Sequence, residues 1–396
     1  MTSPVRVLHV LGALEPGGVE TWLLNLTARL DRSRWQFDFC TLGPAPGRYA
    51  RVAHSQGCRV VECPLRGPGG WRGIVGFGRR LYRILRAGGY RVVHSHVHHF
   101  SGFVLAVAKA AGVPVRVAHS HNTHDGHRDT LARDLYRSLG SRLLDATQTS
   151  ALACSAAAAG ALFGSRWRED ARVRVVHYGV EVELTCREDG KGGSHVPRAR
   201  LRREWGLSEN VPVVGHVGRM EKQKNHAFLL EVAAALKDRR PEVRWLLVGD
   251  GPERSELERN ARRMGLEGGI VFAGCRDDVH KQMRYAIDAL VLPSLYEGLP
   301  LVLLEAQAAG LRTLVSSRVT AEAAVVQGAV EFLPLEAGPR VWAQRTVACL
   351  DRGRICSAEA GRRLQAAGFS IDQSLERLIE IYQTSSGPVE YAFLRV

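Results

Sequence analysis

Two short segments gather the ionisable chemistry of the first half of the chain. HSHVHH (94–99) and HSHNTHDGH (119–127) hold four histidines each. Imidazole changes charge near neutral pH and is a common zinc ligand, so such a cluster implies either a metal centre or a wall of neutral hydrogen-bonding groups. His94 and His96, like His119 and His121, are two apart at points where strand-like runs give way to loops. Residues i and i+2 of a strand share a face, so each pair points at one space. A metal-dependent hydrolase could use such His-x-His pairs, but it needs further ligands, and its usual scaffold is one closed eight-stranded barrel. No metal is therefore expected. One or two of the imidazoles are expected to face a cleft as neutral groups, while His98, His99 and His127 read as satisfied by backbone or neighbours.

The second half carries a different constellation. GHVGRMEKQKNHAFLLEV sets Arg219, Lys222 and Lys224 in a loop between a strand and a helix, with Asn225 placed as its N-cap. A helix start presents unpaired N–H groups and a positive dipole end. Beside a guanidinium fork and a point charge, it can hold a diphosphate without a metal. Further on, YEGLPLVLLEAQAAG separates Glu297 from Glu305 by eight positions, with Pro300 suited to a first helical turn. Eight helical residues rise about 12 Å, longer than the roughly 5–10 Å between a glycosidase's two carboxylates. The spacing fits one extended ligand touched twice, with hydroxyl-bearing sugar at one end and ribose at the other. Glu305 lies in a stretch apolar nearly all round, where a carboxylate needs partners.

The elements that position these groups come in two rounds. VRVLHVL, QFDFCTL, CRVVECPL, RVVHSH, VPVRVAHSH, SALACS and RVRVVHYG read as strands, alternating with amphipathic helices. Several are apolar on both faces, as strands covered by helices must be. A polar stretch follows, and the alternation restarts at VPVVGHVGR. The α/β expectation is two doubly wound, Rossmann-like domains with a ligand cleft between them: 1–185, a linker over 186–205, 206–370, a helix over 371–385 returning to the first domain, and a tail over 386–396.

Composition agrees with a globular chain: 45% hydrophobic and 24% charged over 396 residues. There is no secretory-type leader and no apolar run of bilayer length, so a cytoplasmic protein is expected. The eight cysteines show no Cys-x-x-Cys, against a disulfide framework or zinc knuckle. The net charge is +14, of which +10 falls in residues 1–190. Helix 72–87 sets Ile74, Phe77, Leu81, Ile84 and Leu85 against Arg79, Arg80, Arg83 and Arg86. Its basic face is either simply solvated or a contact for the anionic inner face of the plasma membrane.

The order GGVE, a histidine after a mid-domain strand, GRMEKQKN, LLVGDGP, FAGC, YEGLPLVLLEAQAAG and a closing helix resembles the family 4 retaining glycosyltransferases of GT-B fold, also called group 1. The likeness is to the bacterial cell-surface polysaccharide type and covers nearly the whole chain. It implies a metal-independent, hexosyltransferase-type enzyme (EC 2.4) with no cofactor. The donor would be a nucleotide-diphosphate sugar of UDP or GDP type, the acceptor a glycan or lipid-linked hydroxyl, and nucleic acid no partner. Arg219 and Lys224 would hold the diphosphate and Glu305 the ribose hydroxyls. Glu297, Gly298 and Leu299 would hold the sugar. Gly17 and Gly18 would let backbone approach phosphate or acceptor, with Glu20 continuing that motif. His121 would be the catalytic-site histidine, and His119 the alternative two positions away.

Two places depart from the family pattern. HYGV puts Tyr178 where Asn is usual, keeping Gly179, and RVTAEAAVV replaces a Gly-Gly and following Glu, leaving Glu322 as the nearest acidic residue. Phosphorylases and epimerases share the layout and are the near alternatives. A strand-end His metal hydrolase and a polyanion-binding module are the distant ones.

Overall fold

A computed structural model describes residues 3–65, 71–124, 129–182 and 198–385. His127, most of the expected linker and the tail 386–396 lie outside the described residues. The chain forms two compact units, Met1–Tyr178 with Asp372–Val396, and Gly179–Ile371.

The first unit is built on a seven-stranded parallel sheet: β1 (Val5–Leu11), β2 (Trp35–Thr41), β3 (Val60–Glu62), β4 (Val92–Ser95), β5 (Val115–Ser120), β6 (Ser150–Ala153) and β7 (Val173–Val175). Their spatial order is β3-β2-β1-β4-β5-β6-β7, so the direction of winding reverses between β1 and β4. Ligands of doubly wound sheets bind outside the carboxyl ends of the strands at such a switch point. The strands read as near-continuous apolar runs because both faces are buried. Leu8, Val10, Val93 and Ala118 join Phe77, Leu81 and Leu105 in one core. The helix Ile371–Thr384 belongs to this unit. Trp22 Nε1 donates to Ser374 Oγ at 3.0 Å, Tyr382 is buried, and Arg29 pairs with Asp372 at 2.9 Å.

The helix Trp71–Gly88 buries Phe77, Leu81 and Leu85, as its apolar spacing requires. Two members differ from expectation. Ile74 is exposed, and Arg80 is half-buried because its guanidinium reaches Pro64 O at 2.6 Å. Among the described residues no helix is long and apolar enough to cross a membrane.

The second unit carries six parallel strands: β8 (Val213–Val217), β9 (Arg244–Val248), β10 (Ile270–Gly274), β11 (Ala289–Leu292), β12 (Arg312–Ser316) and β13 (Val330–Leu333). The order β10-β9-β8-β11-β12-β13 puts its switch point between β8 and β11. The linker expected over 186–205 is partly structure: Arg198–Glu204 is a helix. Its low apolar content conceals the anchor, which is a charge. Arg202 is fully buried and meets Asp288 Oδ2 at 2.6 Å and the carbonyl of Glu209 at 2.8 Å. Asp288 also accepts from Arg198 at 2.6 Å and from the Val213 N–H at 2.8 Å. This network fixes the start of β8.

Candidate active site

In the second unit, the loops leaving β8 and β11 meet at the switch point. Lys224 Nζ donates to Glu297 Oε1 at 2.6 Å, with both side chains largely buried. Gln223 Nε2 donates to Tyr296 O at 2.9 Å and to Glu297 Oε2 at 3.2 Å, and the Leu295 N–H donates to Gln223 O at 2.8 Å. The two loops are thus tied by side chain and backbone. A charge-assisted bond at this burial holds both groups in one geometry. Arg219 is different: it is 53% exposed, with a loose 3.6 Å approach to Glu221.

Asn225 corrects an expectation. It precedes the helix His226–Lys237, yet its side chain makes no cap. Its backbone is left-handed, at φ 57° and ψ 45°, and its amide donates to Pro293 O at 3.1 Å. Asn tolerates this region better than most residues. Its role is to bend the β8 loop onto the β11 loop, a long-range task that local capping statistics do not reveal.

Glycine permits the close approach of LLVGDGP to the same loop. A Cβ on Gly249 (φ +138°) would stand 2.0 Å from Gly218 O, and one on Gly251 would stand 2.4 Å from Met220 O. Gly218 N donates to Val248 O and Met220 N to Asp250 O, so Arg219 is carried on a backbone pinned on both sides. His216 follows the same logic: Nδ1 donates to Val291 O at 2.8 Å, and burial pushes its pKa down to about 4.

Glu297, Gly298, Leu299 and Pro300 are buried, and the helix Leu301–Ala308 follows Pro300 directly. Glu305 is half-buried on that helix, and its pKa is pushed up to about 7 by burial and by the carboxylate of Glu181. Glu322 sits in a short turn at Ala321–Ala323, capped by Thr320.

In the first unit, the histidines lie where β1, β4 and β5 end. His9 pairs in register with His94 across β1 and β4. The rings of His94 and His96 are 4.2 Å apart between centroids, and those of His119 and His121 are 4.0 Å apart. Two hydrogen-bonded chains thread them. One runs from His9 Nδ1 to His96 Nε2 (3.1 Å), from His96 Nδ1 to His121 Nε2 (2.7 Å), and from His121 Nδ1 to Tyr178 Oη (2.6 Å). The other runs from Tyr382 Oη to His94 Nδ1 (2.6 Å) and from His94 Nε2 to His119 Nδ1 (3.1 Å). Burial holds all five imidazoles far below their usual range, with His9 and His121 at about 3. They are neutral at physiological pH.

Both nitrogens of His121 are therefore engaged, whereas the buried His119 Nε2 has no hydrogen-bond partner among the described residues. His98 and His99 bond each other at 2.7 Å. Gly17 caps the helix Gly18–Ala28 in extended backbone, and its missing Cβ leaves room for the Glu20 carboxylate, 2.5 Å from where that Cβ would stand. Tyr178, a departure from the family pattern, completes the first chain. Gly179 is kept because a Cβ there would meet Ser370 O at 2.4 Å.

Sequence reasoning missed His9, Trp22 and Tyr382. His9 is one polar residue inside an apolar strand, VLHVL, and that interruption was the available signal. Trp22 and Tyr382 carry no local mark, because their partners are hundreds of positions away.

Two doubly wound units, each with polar groups at the carboxyl ends of its strands and the second with a basic loop beside a buried carboxylate, define a GT-B type transferase. Comparison with known proteins gives the family. Residues 16–184 match the profile described as Glycosyltransferase Family 4, and residues 197–333 that of Glycosyl transferases group 1. The chain is 35% identical to EpsF of Bacillus subtilis (strain 168), which carries a glycosyltransferase name, over 97% of this chain and 98% of that one. It is 30% identical to the D-inositol 3-phosphate glycosyltransferase of Salinispora arenicola (strain CNS-205), over 96% of this chain and 89% of that one. The fold matches HepE of Anabaena in complex with UDP and glucose, with a TM-score of 0.77 at 20% identity, covering 96% of this chain and 100% of that one. The chain belongs to the family 4, group 1 glycosyltransferases.

Proposed function

We propose that this enzyme moves a sugar from a nucleotide-diphosphate sugar, of UDP or GDP type, to a hydroxyl of a glycan or lipid-linked acceptor, with retention of configuration and without a metal at the diphosphate. The observation that carries the reading is the Lys224–Glu297 contact of 2.6 Å at the switch point of the second sheet, with Arg219 beside it. Cation and carboxylate there match the two parts of such a donor. Lys224 and Arg219 meet the charge that develops on the departing diphosphate, and Glu297, with the backbone of Gly298 and Leu299, accepts from and donates to sugar hydroxyls. The leaving diphosphate can take the acceptor's proton, so no separate base is required. A nucleotide-sugar donor and a lipid-linked acceptor are supported by the relation to the Escherichia coli UDP-Gal:alpha-D-GlcNAc-diphosphoundecaprenol alpha-1,3-galactosyltransferase, 29% identical over 60% of this chain and 60% of that one.

The test is calorimetric titration of UDP, GDP and ADP with EDTA present, on the wild type and on Arg219→Ala/Lys224→Ala. One nucleotide is expected to bind and the double variant to lose it. A wild type that binds none until a divalent ion is restored sinks the metal-free cradle.

The same titration has a pH signature. Glu305 would accept the ribose hydroxyls as a carboxylate, yet its folded pKa is raised to about 7 from 4.5. Nucleotide binding should then release a proton, and affinity should rise from about pH 6 to about pH 8. The sign for stability is opposite. Between 4.5 and about 7 the folded state holds the proton that the unfolded state has lost, so stability falls as pH rises through that window. Glu305→Gln should flatten both slopes, and a pH-independent wild-type affinity would remove Glu305 from the ribose.

The exposed Arg79, Arg83 and Arg86 favour peripheral contact with an anionic cytoplasmic leaflet. Neutralising them should reduce co-sedimentation with anionic vesicles at low salt, and unchanged sedimentation would leave the face merely solvated.

A further inference from the structure

We propose that His96, His119 and His121 form a binding site for one divalent transition-metal ion of the zinc type, with His9, His94 and Tyr178 holding the three ligands in orientation. This stands on the first unit alone and is independent of the donor reading, which concerns the second. It also reverses the sequence expectation of a metal-free wall. One nitrogen from each of the three rings lies within 4.8 Å of the other two. We assign Nδ1 of His96, Nε2 of His121 and Nε2 of His119, the last a buried nitrogen with no hydrogen-bond partner among the described residues.

The opposite nitrogen of every ligand ring is already held. His96 Nε2–H can donate to His9 Nδ1 at 3.1 Å, His119 Nδ1–H to His94 Nε2 at 3.1 Å, and His121 Nδ1–H to Tyr178 Oη at 2.6 Å. Zinc-bound histidines characteristically donate their second N–H in this way, which fixes the tautomer and the ring plane. With one proton per neutral ring, all three bonds run outward and three lone pairs converge.

Without an ion His96 Nδ1 and His121 Nε2, 2.7 Å apart, share one proton in an N–H···N hydrogen bond, but His119 Nε2 stays buried and unmatched among the described residues, which is the cost an ion would remove. Metal–nitrogen distances of about 2.0–2.1 Å place tetrahedral ligands about 3.3 Å apart, so the close pair would open by about half an ångström. Three protein ligands leave a fourth position for water or a substrate oxygen, the pattern of sites that bind exchangeable ligands rather than purely structural ones.

The experiment is equilibrium dialysis of tag-free, EDTA-stripped protein against Zn²⁺, with Co²⁺ as a spectroscopic probe. One equivalent per chain is expected, with the intense visible bands of tetrahedral Co²⁺. His96→Gln and His119→Gln should abolish uptake, and Tyr178→Phe, which removes one oxygen, should weaken it about 10–100-fold. Less than one equivalent in the wild type, uptake unchanged in the variants, or the weak spectrum of the hydrated ion would each overturn the proposal. If the glutamine variants fail to fold, Tyr178→Phe and the wild-type spectrum still decide it. Nucleotide titration before and after stripping separates the two readings. Stripped protein that still binds nucleotide leaves the donor cradle intact whatever the zinc result.

Discussion

Lys224→Ala is expected to lower kcat on the order of 10²–10³-fold, the loss seen when one fixed donor to a developing oxyanion is removed. Three observations set this apart from loss of an ordinary surface lysine. The ammonium is largely buried, it sits on a carboxylate at 2.6 Å, and its loop is tied to the β11 loop through Gln223 and Asn225. It is therefore pre-positioned, and no reorganisation is needed as charge builds on the diphosphate. Truncation also leaves the Glu297 carboxylate without its cation, so part of the loss could arise from misplacement of the sugar. Lys224→Gln separates the two, because it keeps a donor for Glu297 and removes only the charge. Donor turnover should stay within about tenfold of Lys224→Ala, with thermal stability near the wild type. Recovery of most activity in Lys224→Gln would show that the charge is not the catalytic quantity. Arg219, half-exposed and loosely paired, should matter more for donor binding and its salt dependence than for kcat.

Asp288→Ala should cost about 3–5 kcal/mol of stability, the range for breaking a buried ion pair from one side. The carboxylate serves Arg202, Arg198 and the Val213 N–H, and Arg202 is fully buried. Removing it strands a guanidinium that cannot shed its proton. Replacing both partners, as in Arg202→Met/Asp288→Ala, should recover part of the loss, since an apolar pair avoids the desolvation penalty. Urea midpoints for the single and double variants measure this. A single variant within about 1 kcal/mol of the wild type would show that water reaches Arg202.

The layout of both sheets was legible because it is written in repetition. Apolar strand runs of three to seven residues, broken by helical periods, leave little room for another architecture. The candidate site of the second unit was legible as two local motifs, GRMEKQKN and YEGLPLVLLE, which the structure brings into contact through Lys224 and Glu297. What escaped is what depends on pairing across the sheet. His9 faces His94 only once β1 and β4 are in register. Arg198–Glu204 looked like linker because its anchor is an arginine whose acid partner lies 86 positions away. Asn225 reads as a cap because sequence shows residue type and not backbone region. The histidine pairs were visible from the start, but their hydrogen-bond directions, which bear on metal against no metal, exist only in three dimensions.

Tyr382 and Ser374 have a bearing on synthesis order. The first unit's imidazole network and its buried Trp22 are completed by the helix Ile371–Thr384, which leaves the ribosome after every other described element. Domains usually fold as they emerge, amino-terminal part first. Here the earlier half must wait, with Trp22 N–H and His94 Nδ1 lacking their partners, until nearly two hundred intervening residues have been made. A nascent chain halted before residue 371 therefore holds an incomplete first core, and a protein shortened at its carboxyl end should fail first at its amino end.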